Sequence, residues 1–318
     1  MFRLYPTGEQ KALLEQHFGC CRFTYNWALN IKEQTYRDEQ RSLSQGEISA
    51  MLLGLKESFP WLREVNAQSL QQAIKHLFKG YERYFKHLGD LPTFKKKPDP
   101  HQSFTVPQSY TIDEDRGTVK LPKISPIKVK LHRRIVGTPR TLTISRSSGG
   151  RYYLSVRVKD DAELPRVAAP IPGQTVGIDL GLLNYATLST GDVVANPRYL
   201  KNSLTRLKVL QRRLSRKQKG SNNRKKARYA VGAMHRRIAD QRNDFLHKLS
   251  SRLVGENQAL AVESLAIANM VKNHSLAQAI EDAAWGTFVS FLEYKCRWAG
   301  KTLLRIGRFD PSTKTCSV

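Results

Sequence analysis

Cysteine is scarce in this sequence, and its few copies do not form pairs. The chain has four cysteines, Cys20, Cys21, Cys296 and Cys316, with neither the spacing of a disulfide framework nor a set of C-x-x-C pairs. A structural zinc site needs four ligands, which usually come from such pairs. We therefore expect free thiols and no bound zinc.

Long apolar runs are also missing. No stretch of about 18 apolar residues occurs, so the sequence predicts no transmembrane helix. No apolar segment of the kind found in a signal peptide follows Met1. We expect a soluble, cytoplasmic protein.

Acidic residues are few compared with basic ones. Lysine and arginine number 53 against 27 aspartates and glutamates, which gives a formal net charge of +26. A chain with this excess of positive charge repels itself unless a polyanion neutralises it, and nucleic acid is the usual partner of such chains.

The shortage of acids is most pronounced between Asp192 and Asp240, where no aspartate or glutamate occurs. A solvated helix surface normally mixes both signs of charge, because like charges one turn apart destabilise a helix. We therefore predict that this segment contacts nucleic acid. Its candidate binding residues are Arg198, Lys201, Arg206, Lys208, Arg212, Arg213, Arg216, Lys217, Lys219, Arg224, Lys225, Lys226, Arg228, Arg236 and Arg237.

The pattern of apolar and polar residues changes twice along the chain. Residues 7–88 show helical periodicity, with Thr7 and Gln10 spaced as a capping box and Pro60 as a break. Residues 92–172 contain short alternating runs typical of antiparallel strands, and the last two runs flank a Ser-Ser-Gly-Gly turn that predicts a hairpin. From Gln174 onward strands and long helices alternate. Length and this pattern together indicate two or three domains.

The third predicted helix, Ala67–Leu88, has one apolar stripe formed by Leu70, Ile74, Leu77, Tyr81, Tyr84 and Phe85. Such a stripe is typical of core packing. Base stacking is the alternative, because aromatic rings on a basic helix also bind unpaired bases.

Two carboxylates end separate apolar runs. Asp179 ends the predicted strand Thr175–Asp179, and Glu263 follows the predicted strand Leu260–Val262, with a long helical insertion between them. A single acid in such a position is most often a turn former or a helix cap. The pair, in this order, is typical of an RNase-H-like metal site, where carboxylates hold Mg²⁺ for phosphodiester cleavage.

Six separated motifs resemble those of the transposon-encoded TnpB proteins, relatives of the type V CRISPR effectors, and they cover essentially the whole chain. They are Phe2-Arg3-Leu4-Tyr5-Pro6-Thr7, Arg22-Phe23-Thr24-Tyr25-Asn26, Gly177-Ile178-Asp179-Leu180-Gly181, Asp244-Phe245-Leu246-His247-Lys248-Leu249, Asp282-Ala283-Ala284-Trp285-Gly286 and Pro311-Ser312-Thr313-Lys314-Thr315-Cys316.

The resemblance implies an α+β multidomain fold and a guide RNA that directs the protein to double-stranded DNA. It implies a first strand of a wedge-type β-barrel at 1–10, a helical recognition domain at 11–91 and the rest of the wedge barrel at 92–172. It implies an RNase-H-like (RuvC) α/β core at 173–318, with a long basic helical hairpin as an insertion. The family habit further implies a monomer bound to one RNA.

The resemblance also implies a surface that reads a short DNA motif beside the target. By position its candidate residues are Gln45, Ser49, Gln68, Gln71 and Thr105. Amide side chains can hydrogen-bond the edge of adenine, although a polar residue on a helix is usually only solvated.

The chain departs from the family pattern near its last residues. In the family, the position of Cys316 opens a four-cysteine zinc ribbon, and a third aspartate of the metal site lies beyond it. Ser264 and Ala266 also stand where the family often has an acid and an asparagine. We expect an incomplete magnesium site of Asp179 and Glu263, and hence a protein that represses by occupying its target without cutting it.

Two other hypotheses remain open. The chain is an active RNA-guided DNA endonuclease if Asp192, Asp282 or Asp310 completes the carboxylate set, or if the sequence is truncated. Of these, Asp282 fits a structural cap better, and Asp310, before Pro311, fits a turn. The third hypothesis is a decayed transposon remnant that binds no defined RNA.

Overall fold

The computed structural model describes residues 1–99, 101–160, 162–171 and 173–307. The chain divides into two compact units, an N-terminal unit of Met1–Asp161 and a C-terminal unit of Ala162–Val318. Each has its own hydrophobic core. Asp310 and Cys316, which the sequence analysis singled out, lie outside the described residues.

The N-terminal unit contains four α-helices and seven strands among its described residues. The helices are α1 (Gly8–Glu39), α2 (Gln45–Ala50), α3 (Leu52–Ser58) and α4 (Ala67–Phe85), with a short 3₁₀ helix at Pro60–Glu64. The strands are β1 (Phe2–Tyr5), β2 (Gln102–Val106), β3 (Thr111–Asp113), β4 (Thr118–Leu121), β5 (Ile124–Lys130), β6 (Thr138–Arg146) and β7 (Tyr152–Lys159).

The predicted capping box at the start of α1 is present. The Thr7 hydroxyl accepts from the Gln10 backbone N–H at 3.3 Å, and the Gln10 side-chain oxygen accepts from the Thr7 backbone N–H at 2.9 Å. Such a cap satisfies two backbone donors that the first helical turn leaves unpaired. The predicted break at Pro60 is also present, since α3 ends at Ser58 and the 3₁₀ helix begins at Pro60.

The apolar stripe of α4 divides into two parts. Leu70, Ile74 and Leu77 are fully buried in the core of the N-terminal unit. Tyr84 and Phe85, at the end of the helix, are 40% and 71% exposed. Core packing therefore accounts for the first two turns of the stripe, whereas the last turn lies at the surface.

One antiparallel sheet joins the strands of the N-terminal unit in the order β2-β6-β7-β1-β5-β4-β3. Strand β1 lies between β7 and β5, with Arg3 opposite both Tyr153 and Lys130. The predicted hairpin is β6 and β7, joined through the Ser-Ser-Gly-Gly turn. The family resemblance implied a wedge-type β-barrel, and the described strands form one seven-stranded sheet with β2 and β3 at its edges.

The C-terminal unit is built on a mixed five-stranded sheet in the order β10-β9-β8-β11-β12. Its strands are β8 (Thr175–Leu180), β9 (Asn184–Leu188), β10 (Val193–Ala195), β11 (Ala259–Glu263) and β12 (Thr302–Ile306). Its helices are α5 (Tyr199–Ser215), α6 (Asn222–Glu256), α7 (Ile267–Met270), α8 (His274–Ala283) and α9 (Trp285–Ala299). Strands β8, β11 and β12 are parallel, and β9 and β10 are antiparallel additions.

One face of this sheet is covered by helices. Val176 and Ile178 of β8 and Val262 of β11 are buried in the same core as Leu253 of α6 and Phe288 of α9. Side chains alternate between the two faces of a strand, so the neighbours of these residues lie on the opposite face.

The part of the chain that the structure describes contains no helix long and apolar enough to cross a membrane.

Candidate carboxylate pair and nucleic-acid interface

Asp179 and Glu263 occupy matching positions on adjacent parallel strands. Ile178 of β8 pairs with Val262 of β11, so the next residue of each strand is one of the two acids. The carboxyl ends of parallel strands meet at the same edge of a sheet. Two residues 84 positions apart in the numbering are thereby brought to one place.

The two acids also share a face of the sheet. Ile178 and Val262 lie on the buried face, and alternation puts Asp179 and Glu263 on the other. Asp179 is exposed and Glu263 is half-buried. Carboxylate oxygens at such a position can bind a hard cation, for which oxygen ligands are preferred. Within residues 1–99, 101–160, 162–171 and 173–307, no group of three or more His, Cys, Asp or Glu side chains is arranged to hold a metal ion.

Asp282, the proposed substitute acid, has a structural role in this fold. Its carboxylate accepts from the backbone N–H of Leu200 at 2.9 and 3.0 Å and from that of Lys201 at 3.3 Å. It also pairs with Arg242 of α6 at 3.0 Å, and its side chain is only 7% exposed. Arg198, the N-cap residue of α5, provides no side-chain cap. Asp282 of α8 therefore caps α5 from a distant part of the sequence.

Asp192, another proposed substitute, lies in the turn between β9 and β10. Its side chain accepts from the Thr190 hydroxyl at 3.1 Å, and its backbone carbonyl accepts from Leu188 N–H at 2.9 Å. These contacts are those of a turn former. The third proposed substitute, Asp310, lies outside the described residues.

The cysteines that the structure describes are buried free thiols. Cys20 and Cys21 lie on α1 and Cys296 lies on α9. Burial raises the pKa of Cys20 to about 11 and raises the pKa of Cys21 and Cys296 as well. A thiol with a raised pKa carries little thiolate, the form that binds metal.

The basic segment forms a helical hairpin, in which α5 and the first half of α6 pack against each other. Leu207 is buried between them, and most of the predicted binding residues are exposed. The exposed ones are Lys201, Arg206, Lys208, Arg212, Arg213, Arg216, Lys217, Lys219, Lys225, Lys226, Arg228 and Arg237. Because few acids lie nearby to neutralise them, they present a cationic surface to a ligand.

Three predicted binding residues are half-buried. Arg224 donates to the carbonyls of Leu214 and Lys217 at 3.1 and 2.7 Å, which closes the turn of the hairpin. Arg198 donates to the carbonyl of Leu182 at 3.3 Å. The third is Arg236. The side chains of Arg198 and Arg224 therefore stabilise the hairpin through hydrogen bonds to backbone carbonyls.

The predicted motif-reading residues lie on three elements of the N-terminal unit. Gln45 and Ser49 are on α2, Gln68 and Gln71 are on α4, and Thr105 is on β2. Thr105 is only 5% exposed, whereas Gln45 and Gln71 are exposed. Their role in reading DNA stays a prediction.

Thr105 lines a cleft together with residues that the sequence did not indicate as functional. The cleft lies among α1, α4, β2 and the loop before β2, and Arg22, His76, Lys95 and His101 line it. Burial lowers the pKa of His76, and the positive charge of Lys95 lowers it further. Phe18 and Arg22 share one side of α1, but most of the other cleft residues come from α4, β2 and the loop before β2, so only the packing of these elements could identify the set.

Comparisons with known proteins agree with this architecture. Residues 153–274 match a family described as a probable transposase, of the IS605 OrfB type. Residues 1–41 match its helix-turn-helix domain, which in this chain folds as β1 and α1, and residues 285–318 match a Cas12f1-like TNB domain.

Curated relatives extend over nearly the whole chain. A "Putative RNA-guided DNA endonuclease" of Streptomyces pristinaespiralis is 41% identical over 320 residues, covering 99% of this chain and 78% of that protein. A "Putative RNA-guided DNA endonuclease InsQ" of Escherichia coli K12 is 28% identical over 322 residues, covering 96% and 79%.

A solved structure shares the fold. The Cas12f1 chain in a complex with sgRNA and target DNA matches with a TM-score of 0.54 at 12% identity, covering 95% of this chain and 74% of that one. The fold is thus the mixed helical and sheet fold of that effector. On these relatives and motifs, the chain belongs to the TnpB family of transposon-encoded proteins.

Proposed function

We propose that this chain is a guide-RNA-dependent DNA-binding protein that acts by occupying its target, with transcriptional repression as the result. The observation that carries the proposal is the exposed cationic hairpin of α5 and α6, which belongs to the same unit as the Asp179 and Glu263 pair. A surface of this charge binds phosphates independently of sequence. Sequence selection then comes from base pairing between guide and target.

The names of the relatives support an RNA-guided activity on DNA. Two are named as RNA-guided DNA endonucleases, and the Cas12f1 structure holds a guide RNA and target DNA. In proteins of that kind, the protein reads a short motif beside the target and grips the heteroduplex by its backbone. Gln45, Ser49, Gln68, Gln71 and Thr105 are proposed as the motif-reading residues, and one chain is proposed to bind one RNA as a monomer.

The C-terminal unit is proposed to be an RNase-H-like, RuvC-type core with the basic hairpin as its insertion. The order along the chain supports this, since Asp179 is the penultimate residue of β8, the hairpin follows, and β11 ends at Glu263. Asp179 and Glu263 offer the oxygen ligands that Mg²⁺ prefers. When bound there, Mg²⁺ would supply activation of water and stabilisation of a leaving oxygen.

Binding without cutting is the main proposal because the described residues place two acids together, and two Mg²⁺ ions need more charged ligands than two. Asp282, which could have been a third, is occupied with the backbone of α5 and with Arg242.

An active RNA-guided endonuclease is the second candidate. The matching register of Asp179 and Glu263 favours it, because it brings two carboxylates together at one edge of the sheet. Two carboxylates of like charge at neighbouring positions repel each other. Proteins retain such pairs mainly where they serve chemistry.

One experiment separates these candidates. The protein is purified with its co-expressed RNA, the RNA is sequenced, and matched DNA is added with Mg²⁺. Target occupancy predicts a retarded, uncut duplex whose formation is unchanged in Asp179→Asn and Glu263→Gln. The endonuclease predicts cleavage that both substitutions abolish. If no defined RNA is recovered, both candidates are wrong and a decayed remnant is favoured.

A further inference from the structure

A row of aromatic rings runs along α9 and reaches α6. This aromatic strip consists of His247 of α6 and Phe291, Tyr294 and Trp298 of α9. The ring centroids of His247 and Phe291 are 4.0 Å apart and nearly parallel at 16°. Phe291 and Tyr294 are 5.9 Å apart, and Tyr294 and Trp298 are 4.7 Å apart. The four rings therefore form one continuous row.

The strip begins at the edge of the hydrophobic core, against which the half-buried Phe291 packs, and leads outward to Trp298. Residues 291, 294 and 298 share one side of the helix, since they are spaced three and four apart. The core side of α9 is occupied by Phe288 and Leu292, both fully buried. Trp298, in contrast, is 66% exposed. A contiguous aromatic surface that reaches solvent is typical of an interaction site.

A half-buried lysine, Lys295, joins the two helices that carry the strip. Lys295 Nζ donates to the His247 carbonyl at 2.8 Å, to Ser250 Oγ at 2.7 Å and to Ser251 Oγ at 2.8 Å. These bonds use all three ammonium hydrogens and join α9 to α6. The rings are thus presented in a fixed row, which reduces the entropy lost when a ligand binds.

The charge around the strip favours an anionic ligand. Arg297, next to Trp298 in the sequence, is an exposed cation, whereas Lys248, next to His247, is paired with Asp244 at 2.7 Å. The same helix α6 carries the exposed cations of the hairpin. Ten residues separate Arg237 from His247, which corresponds to about 15 Å along the helix. A strand bound to the hairpin could therefore continue onto the strip.

We propose that the aromatic strip is a stacking surface for the unpaired bases of single-stranded DNA. The proposal rests on the proposed function, because pairing between a guide and one DNA strand leaves the other strand unpaired. Exposed rings beside cations bind single strands by base stacking together with phosphate attraction. In a duplex the bases are already stacked, so duplex DNA gains nothing from the strip.

The test measures binding of purified protein to a short oligodeoxythymidine and to a duplex of the same length. Trp298→Ala is expected to weaken binding of the single strand about tenfold, the effect of losing one stacked base. Trp298→Phe should retain most of the affinity. Duplex affinity and the salt dependence of binding should not change, since tryptophan carries no charge. The matched control is Tyr36→Ala, which removes a 56% exposed aromatic ring from α1.

Four outcomes would overturn the proposal. If wild type binds DNA but Trp298→Ala leaves the affinity for the single strand unchanged, the strip is not a stacking surface, and the proposed function stands. If wild type binds no nucleic acid, the proposed function is lost as well. If Trp298→Ala instead abolishes a concentration-dependent increase in mass, a second copy of the chain occupies the strip. An oligoribonucleotide bound more tightly than the DNA would also contradict the assignment to DNA.

Discussion

The two ends of α6 use arginine and lysine in opposite ways. Toward its C-terminal end the helix is part of the core, with Leu246, Leu249 and Leu253 buried and Arg242 paired with Asp282. Toward its N-terminal end the cations Lys225, Lys226 and Arg228 are exposed. Where the fold places a carboxylate beside an arginine, as at Arg242, the pair stabilises the fold. The exposed cations at the other end of the helix are available to a ligand. Substitutions at the two ends should therefore affect different measurements.

The largest effect is expected from Asp282→Ala. The substitution leaves Arg242 without its carboxylate and the backbone N–H groups of Leu200 and Lys201 without their acceptor. Breaking a buried pair of this kind costs about 3 kcal/mol in the free energy of unfolding, measured by urea denaturation. Asp282→Asn keeps one acceptor oxygen and should cost less. Equal stability of wild type and Asp282→Ala would show that the contacts of Asp282 with α5 and Arg242 are not needed for folding.

The opposite end of α6 gives the reciprocal prediction. Replacing Lys225, Lys226 and Arg228 together with glutamine should leave the free energy of unfolding within about 0.5 kcal/mol of wild type, as for most surface substitutions. Binding to duplex DNA should weaken, and the slope of log affinity against log salt should fall by up to about 2.7 if all three contact phosphates. An unchanged slope would mean that the hairpin does not contact DNA.

A smaller effect is expected from His17, a polar group satisfied inside the N-terminal unit. Its Nδ1 lies 2.8 Å from the Leu13 carbonyl, and its Nε2 accepts from the Asn66 backbone N–H at 3.2 Å. Burial lowers the pKa of His17, and Lys123 lowers it further. The folded state therefore binds this proton less readily than the unfolded state does.

The sign of the pH effect follows from linkage. Above the ordinary histidine pKa of 6.5 both states are neutral, and His17 gives no pH dependence. Below it the unfolded state takes up the proton first, so stability falls as the pH decreases, by at most about 1.4 kcal/mol per pH unit. His17→Gln should remove this component of the pH dependence in a series of urea titrations. If the slope persists, another group is responsible.

The smallest effect is expected for the carboxylate pair. Asp179→Asn removes one of two like charges at neighbouring positions, and Asp179 is exposed. The melting temperature should stay the same or rise slightly, in contrast to the loss expected at Asp282. A clear decrease would show that Asp179 has a stabilising partner in the fold.

Much of the local structure was predictable, because it depends on residues close together in the chain. The capping box of Thr7 and Gln10, the break at Pro60 and the hairpin of β6 and β7 are such cases. Strands β8 and β11 were predicted because each is a short apolar run that ends at an acidic residue. Strands β3, β10 and β12 were not identified, since each is short or partly exposed and has little periodicity.

The candidate site was predictable only in part. The sequence identified Asp179 and Glu263 as strand-end acids and the 192–240 segment as cationic, because both signals are local. It could not divide the basic residues into those that bind carbonyls, such as Arg224, and those that face outward. That division depends on which backbone atoms the folded chain brings near each side chain.

The sequence by itself determined the helices of the N-terminal unit, the α5 and α6 hairpin, the main strands, the excess of positive charge and the family, because these follow from neighbouring residues and composition. Tertiary structure alone decided that the two acids share one face, that Asp282 caps α5 and that His247 meets Phe291. The physical reason is that strand register and helix docking are set by the packing of distant apolar side chains. No pattern within a single segment of the sequence predicts that packing.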